Sequence, residues 1–152
     1  MTQAAHDGYQ LPDGFEHCSK LRPVVEATSA LDRVRAVVTI LAAPGGCPWD
    51  GKQTNRTLLK NLIEETYEYV DTVEADDREG MREELGDLLL QSVFQGVVCQ
   101  KDSVDPFTLD EVCDRLVNKL ITRHPAVFAP DSAQDADDGS GQSPEDVLKL
   151  WN

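Results

Sequence analysis

The sequence is short of positive charge and of paired cysteines, and each shortage excludes a class of protein. Its 152 residues carry 14 Lys and Arg against 28 Asp and Glu, a formal net charge of −14. Such a surface repels nucleic acid and anionic membranes, so we expect neither as a partner. The four cysteines are widely spaced and form no CxxC pair, which disfavours a zinc site and a disulfide framework.

Long apolar runs are missing as well. The sequence has no stretch of about 18 apolar residues, so we expect no membrane span. Residues 1–20 are polar and lack the apolar centre of a signal peptide. The alternation of apolar and polar residues that is typical of half-buried strands is also absent. We therefore expect a soluble, cytoplasmic, all-α protein.

Helical periodicity is the main pattern that the chain does contain. Apolar stripes at three- and four-residue spacing predict helices from about Ser29, from Thr57 to Glu74, from Gly80 to Lys101 and from Thr108 to Arg123. Ser143-Pro144 opens a short last helix, with proline at the first helical position. The fold class predicted from these elements is a bundle of four or five helices.

The length of the chain predicts one domain, flanked and interrupted by irregular segments. Residues 1–28 are expected to form a flexible N-terminal leader, because glycine and proline break any regular element there. The domain proper then covers residues 29–152. Within it, the acidic, small and polar segment 130–142 has no apolar periodicity and is expected to be a mobile loop.

Two acidic clusters lie on neighbouring predicted helices. Glu65 and Glu68 are three residues apart on the first helix, and Glu84 and Asp87 are three apart on the next. Residues at this spacing point to nearly the same side of a helix, so an antiparallel hairpin would bring the two pairs face to face. Gly86 costs about 0.8–1 kcal/mol relative to alanine in a helix, which suggests that another helix approaches closely there.

Four carboxylates in one place repel each other unless a cation binds between them. Mg²⁺ prefers oxygen ligands, and the lack of His and Cys in the cluster disfavours zinc, copper or iron. Bound Mg²⁺, or Mn²⁺ in its place, helps water to attack a phosphoryl group. The alternative is an ordinary solvated helix face, because glutamate is a favoured helix former.

Five stretches of the chain resemble the MazG family of nucleotide pyrophosphohydrolases. In chain order they are GGCPWDGKQT (45–54), LIEETYEYVDTVE (62–74), REELGDLLLQSVF (82–94), KLITRHPAVF (119–128) and VLKLW (147–151). The EExxE and ELGD pair also resembles other all-α pyrophosphatases, whereas CPWD and KLxxRHPxVF are specific to MazG. The resemblance implies a helical bundle that assembles as a homodimer or homotetramer, with core helices shared between protomers.

The resemblance also implies a reaction and a set of site residues. The reaction is Mg²⁺-dependent hydrolysis of a nucleoside triphosphate to the monophosphate and pyrophosphate, in a cleanup role for the nucleotide pool. The metal ligands carried over from the family are Glu65, Glu68, Glu84 and Asp87. Glu64 would be a catalytic carboxylate that orients the attacking water.

Further residues match family positions that contact the substrate. Lys119 and Arg123 match cations that bind the triphosphate, and their i,i+4 spacing puts both on one helix face. Without the family resemblance, the favoured interpretation of Lys119 and Arg123 is that they only interact with the dipole at the C-terminus of a helix. Trp49 and Trp151 are candidates for stacking on the base or sealing the site, although a single tryptophan is more often a core or interface anchor. His124 is expected to be a structural hydrogen bonder.

Two alternatives to this interpretation stay open. One is a close relative that acts on dUTP and dCTP, or on phosphoribosyl-ATP. The other is an inactive helical module that binds a partner protein and whose acidic faces are solvated. Measuring pyrophosphate release with and without Mg²⁺ distinguishes an enzyme from an inactive interaction module.

Overall fold

The computed structural model describes residues 7–131 and 143–151, and every regular element within them is helical. Within residues 7–131 and 143–151, a 3₁₀ turn at Ser19–Leu21 is followed by seven α-helices whose bounds are defined. They are α1 (Arg22–Glu26), α2 (Ala30–Ala42), α3 (Pro48–Gly51), α4 (Leu59–Glu74), α5 (Arg78–Gln100), α6 (Leu109–Thr122) and α7 (Pro144–Lys149). The all-α prediction is confirmed, while the expected mobile loop at 130–142 lies, beyond residue 131, outside the described residues.

Two helices begin at capping residues that are recognisable in the sequence. Ser29 caps α2, because its hydroxyl oxygen accepts a hydrogen bond from the backbone N–H of Asp32. Ser143 and Asp146 form a reciprocal capping box at the start of α7, with Pro144 in the first turn. Both predicted starts are therefore confirmed.

The N-terminal segment contains regular structure that was not expected. Helix α1 forms within the predicted leader at 1–28, with Pro23 in its first turn, where a missing N–H costs nothing. Val24 of this helix is buried, and α1 packs against α2. The expectation that glycine and proline break every element before Ser29 was wrong for α1, because packing against α2 stabilises so short a helix.

The turn after α2 depends on two glycines. Gly45 has a φ of +84°, a conformation that other L-residues rarely adopt. A Cβ atom on Gly46 would collide with the backbone carbonyl of Leu41. This tight return lets the Cys47 N–H donate to the Leu41 carbonyl at 2.8 Å, and it holds α3, which carries Trp49, against α2.

Helices α4 and α5 form a hairpin joined by a turn at residues 75–77. Asp76 has a positive φ of 53°. Asp77 caps α5, with its Oδ1 accepting a hydrogen bond from the N–H of Gly80 at 3.0 Å. The short connection makes α4 and α5 antiparallel neighbours that pack along each other, as the sequence predicted.

The hydrophobic core is small and lies mainly between α2 and α5. Its buried members are Val38, Ala42, Leu58, Val93, Phe94 and Val97. The apolar side chains of Leu85 and Leu89, also on α5, are 51% and 38% exposed in the single chain. Periodicity located the helix correctly but not the full extent of its buried face.

A close contact occurs on α5, but at a different glycine from the one expected. No atom of a neighbouring element among the described residues lies within 4 Å of a Cβ built on Gly86, so the expected close approach is absent in this part of the chain. A Cβ on Gly96 would instead collide with the side chain of Leu109, at the start of α6. Gly96 is therefore the position where the missing side chain permits packing.

The chain divides into two compact units, residues 1–109 and 110–152. The boundary expected between residues 28 and 29 stays a prediction. Among the described helices, none is both long and apolar enough to cross a membrane. All four cysteines are free thiols.

Candidate functional site

The α4–α5 hairpin brings three carboxylates together. Glu65 extends from α4, and Glu84 and Asp87 extend from successive turns of α5. One carboxylate oxygen from each of the three lies within 4.8 Å of those of the other two. A helical hairpin can achieve this because residues three apart share one face of a helix.

Two of these half-buried carboxylates each have one oxygen in surroundings that disfavour its charge. Glu65 Oε2 and Glu84 Oε2 are inaccessible to solvent, and no described protein group donates a hydrogen bond to either. Burial, the negative charge of Glu68 and a hydrogen bond with Glu68 raise the pKa of Glu84 to about 7. Burial, together with the charges of Glu68 and Asp87, also raises the pKa of Glu65.

Glu68 belongs to the same cluster, whereas Glu64 does not. The charge and hydrogen bonding of Glu68 act on both Glu65 and Glu84, so all four predicted ligands are neighbours. Glu64 is half exposed, and its Oε1 lies 3.8 Å from Lys60 Nζ on the preceding turn of α4. Adjacent helical residues point in different directions, which explains why Glu64 pairs with Lys60 instead of joining the cluster.

The cluster suits a hard divalent cation. Its donors are carboxylate oxygens, which Mg²⁺ and Mn²⁺ prefer. The unpartnered oxygens of Glu65 and Glu84 cost free energy unless a positive charge or a proton faces them. A cation would replace the mutual repulsion with attraction, so the residues present fit such a group.

The second unit gathers cations around an indole ring. Lys119 Nζ and Arg123 Cζ lie 5.5 Å and 5.3 Å from the centroid of the Trp151 ring. The Arg123 guanidinium also donates to the Trp151 backbone carbonyl at 3.2 Å. His124 Nδ1 lies 2.6 Å from the carbonyl oxygen of Leu120, as expected for a structural hydrogen bonder. The three substrate-binding candidates of this unit therefore form one cluster.

Trp49, the remaining candidate, lines a cavity in the first unit together with Asp50 and Gln91. Gln91 lines this cavity and is not among the candidates that the sequence predicted. The available signal was its position, because it follows Asp87 by one helical turn within an otherwise apolar stretch of α5. Gln91 is buried, and its Oε1 accepts no hydrogen bond from the described residues.

The sequence of the chain is similar to those of several known proteins. Residues 53–128 match the family model described as the MazG nucleotide pyrophosphohydrolase domain. An uncharacterised 26.1 kDa protein of Streptomyces cacaoi is 43% identical over 130 residues, which are 86% of this chain and 47% of that protein.

Two relatives carry functional names. The nucleoside triphosphate pyrophosphohydrolase of Mycobacterium tuberculosis is 38% identical over 128 residues, 84% of this chain and 34% of that protein. The nucleoside triphosphate pyrophosphohydrolase/pyrophosphatase MazG of Thermotoga maritima is 40% identical over 126 residues, 83% of this chain and 44% of that protein. The chain thus spans less than half the length of each of these relatives.

Proposed function

Because this chain belongs to the MazG family of nucleotide pyrophosphohydrolases, we propose that it hydrolyses nucleoside triphosphates to nucleoside monophosphate and pyrophosphate. The observation that carries the proposal is the cluster of Glu65, Glu84 and Asp87, whose oxygens lie within 4.8 Å of one another. Two relatives that are named for this reaction match more than four fifths of the chain.

Glu65, Glu68, Glu84 and Asp87 hold Mg²⁺, or Mn²⁺ in its place, in this proposal. A cation held there would supply Lewis acidity toward a phosphoryl oxygen and would lower the pKa of a bound water. The carboxylates would fix its position, because both helices that carry them pack along each other. Glu64 remains the proposed water-orienting group, and it would have to release Lys60 to reach the reacting atoms.

Lys119 and Arg123 are the proposed binding groups for the triphosphate. Both are cations beside the same indole ring, that of Trp151. A guanidinium offers paired donors to phosphate oxygens, and a lysine ammonium adds a mobile positive charge. These local cations would let a chain with a net charge of −14 bind an anionic substrate.

Removal of unwanted triphosphates from the nucleotide pool is the proposed role, and a cytoplasmic location stays a prediction. The activities on dUTP and dCTP or on phosphoribosyl-ATP remain alternative substrate ranges. An inactive interaction module is disfavoured by the buried, unpartnered oxygens of Glu65 and Glu84. A solvated acidic face would leave such oxygens in contact with water.

Self-association is proposed from the exposed apolar face of α4. Its large apolar side chains follow one another at three- and four-residue spacing and are all at least 40% exposed. They are Leu59, Ile63, Tyr67, Val70 and Val73. Such a stripe normally faces a core, so a second copy of the chain is the proposed occupant, in a homodimer or homotetramer.

Product analysis tests the proposed reaction. Purified protein is incubated with a nucleoside triphosphate and Mg²⁺, and the products are separated by anion exchange. We expect the monophosphate and pyrophosphate in equal amounts, and none in the presence of EDTA. A nucleoside diphosphate with inorganic phosphate would show cleavage at the wrong bond and would contradict the proposal.

A matched pair of variants ties the reaction to the site. Glu68→Gln keeps the shape of the side chain and removes its charge from the cluster. Glu74→Gln makes the same change at the exposed end of α4. We expect at least a tenfold loss of activity from the first and little from the second. If both variants lost equally little activity, Glu68 would belong to an ordinary solvated helix face and not to a metal site.

A further inference from the structure

The indole ring of Trp151 is the shared neighbour of two cations at the end of α6. Lys119 lies in the last turn of α6, and Arg123 follows it by four residues, so both side chains leave the same face. Lys119 Nζ is 5.5 Å and Arg123 Cζ is 5.3 Å from the centroid of the ring. A ring attracts a cation within about 6 Å of its centroid, so one indole stabilises both positive charges.

Further contacts give this ring a defined position. The Arg123 guanidinium donates a hydrogen bond to the Trp151 backbone carbonyl at 3.2 Å. The ring of His124 meets the indole edge-on, with centroids 6.1 Å apart and planes at 75°. His124 is itself held, because its Nδ1 lies 2.6 Å from the Leu120 carbonyl oxygen. The indole is therefore fixed against the end of α6.

Neither cation is paired with an acid in the described part of the chain. The other two basic residues of this unit are paired, Arg115 with Glu111 at 3.2 Å and Lys149 with Asp146 at 3.9 Å. In a chain with 28 Asp and Glu against 14 Lys and Arg, carboxylate partners are abundant. The two cations beside the indole therefore differ from their neighbours in having an aromatic partner instead of an acidic one.

An aromatic partner holds a cation without neutralising it. The ring attracts positive charge through its quadrupole and carries no net charge of its own. A carboxylate would also hold the two side chains, but it would repel an incoming anion and compete with it for the same N–H groups. The indole contact thus suits a site that keeps two positive charges together for an anionic ligand.

A second cation–π contact in the chain shows the opposite arrangement. Arg33 Cζ lies 4.3 Å from the centroid of the Tyr9 ring, but its guanidinium also donates to both carboxylate oxygens of Asp7, at 3.1 Å and 2.8 Å. The Arg33 side chain is only 13% exposed. Its charge is therefore satisfied within the protein, and the contact with Tyr9 provides a matched control.

We propose that Trp151 is a positioning residue, which holds Lys119 and Arg123 together for the phosphates of the ligand and does not stack on its base. The inference rests on the proposed function, because it takes the triphosphate as the anion that these cations bind. A guanidinium has five N–H donors, so Arg123 can bind a phosphate while it donates to the Trp151 carbonyl. Side chains that are already ordered lose less freedom on binding, which strengthens the interaction.

Two ligands that are not turned over distinguish positioning from stacking. The α,β-methylene analogue of ATP keeps base, ribose and phosphates, whereas inorganic tripolyphosphate keeps only the phosphates. Calorimetry with Mg²⁺ gives both affinities for the parent, Trp151→Leu, Trp151→Phe and Tyr9→Leu. Leucine removes the ring, phenylalanine keeps a smaller one, and Tyr9→Leu removes the control ring, which is 39% exposed against 37% for Trp151.

Trp151→Leu should weaken both ligands by the same factor, about five- to tenfold, because two cation–π contacts are lost. Trp151→Phe should stay within about threefold of the parent, and Tyr9→Leu within about twofold. A loss that is confined to the methylene analogue would show that the indole stacks on the base and would overturn the positioning role. Unchanged affinities in Trp151→Leu, or a parent that does not bind tripolyphosphate, would overturn it as well.

A double-mutant cycle tests whether the ring acts through the cations. In a Lys119→Met background, Trp151→Leu should weaken tripolyphosphate only about two- to threefold, because one of the two contacts is already absent. The same factor in both backgrounds would overturn the proposal. A protein that shows the expected pattern but releases no pyrophosphate from any triphosphate would instead contradict the proposed reaction and leave the role of Trp151 supported.

Discussion

Asn55 and Gln95 join the segment before α4 to the C-terminal part of α5. Asn55 Nδ2 donates to Gln95 Oε1 at 2.7 Å, and Gln95 Nε2 donates to the Asn55 carbonyl at 3.1 Å. The two residues are 40 positions apart in the chain. Together they fix the start of α4, and with it the buried Leu58, against the helix that carries half of the acidic cluster.

Loss of this pair should destabilise the fold. Asn55→Leu removes the donor to Oε1 of the partly buried Gln95 and keeps the backbone carbonyl that accepts from Gln95 Nε2. We expect the free energy of unfolding to fall by about 1–3 kcal/mol. Asn118→Leu, on the exposed surface of α6, should stay within about 0.5 kcal/mol of the parent. Urea unfolding followed by circular dichroism gives both values. Similar values for the two variants would show that the pair contributes no net stability.

The buried carboxylates should matter more than their exposed neighbours. Glu84→Gln removes a charge from the cluster, and Glu83→Gln removes one from the adjacent exposed position. Pyrophosphate release should fall at least tenfold in the first variant, because a metal ligand is lost, and less than about twofold in the second. Activity that survives Glu84→Gln unchanged would remove Glu84 from the site.

The raised pKa of Glu84 predicts a pH dependence of stability without divalent cations. Folding raises this pKa from its ordinary 4.5 to about 7. In that window the folded chain keeps a proton that the unfolded chain has lost, so stability falls as the pH rises from about 4.5 through about 7. Glu84→Gln cannot titrate, and its unfolding free energy should decline less across the same window. Parallel curves for both proteins in EDTA would contradict the raised pKa.

Local chemistry made part of this site predictable. Three features depend only on residues that are close in the sequence. They are the Ser29 cap, the position of Glu65 opposite Glu84 in the hairpin, and the grouping of Lys119 with Arg123. Spacings of three or four residues determine which side chains share a helix face. A turn as short as residues 75–77 then leaves antiparallel packing as the available arrangement.

Long-range packing was not predictable in the same way. Gly86 and Gly96 look alike in the sequence of α5, yet of these two only Gly96 is crowded, because the side chain of Leu109 lies against it. Gln91 lines a cavity together with residues of α2 and α3, which are distant from it in the chain. Residues that are distant in the chain determine which face of α5 is buried. The periodicity of α5 itself contains no information about those residues.

The exposed stripe on α4 predicts self-association. Tyr67 and Ile63 are 67% and 57% exposed in the single chain, and a second copy would bury them. Tyr67→Asp should put an unpaired charge into that interface and shift the mass toward 16.8 kDa, the mass of one chain. Val104→Asp adds the same charge at a loop position that is 89% exposed. Light scattering should show the multimer for this control, and a parent of 16.8 kDa at micromolar concentration would contradict the proposed assembly.

Cation binding should stabilise the fold, because the unfolded chain does not hold Glu65 and Glu84 together. Mg²⁺ at a hundredfold excess over its Kd adds about 2.7 kcal/mol, which raises the Tm of a chain of this length by roughly 5–10 °C. Na⁺ at matched ionic strength should do much less, since it only screens the charges. Asp87→Asn should reduce the Mg²⁺ shift, and in EDTA it should melt no lower than the parent, because one source of repulsion is gone. Equal shifts with Mg²⁺ and Na⁺ would refute the cation site.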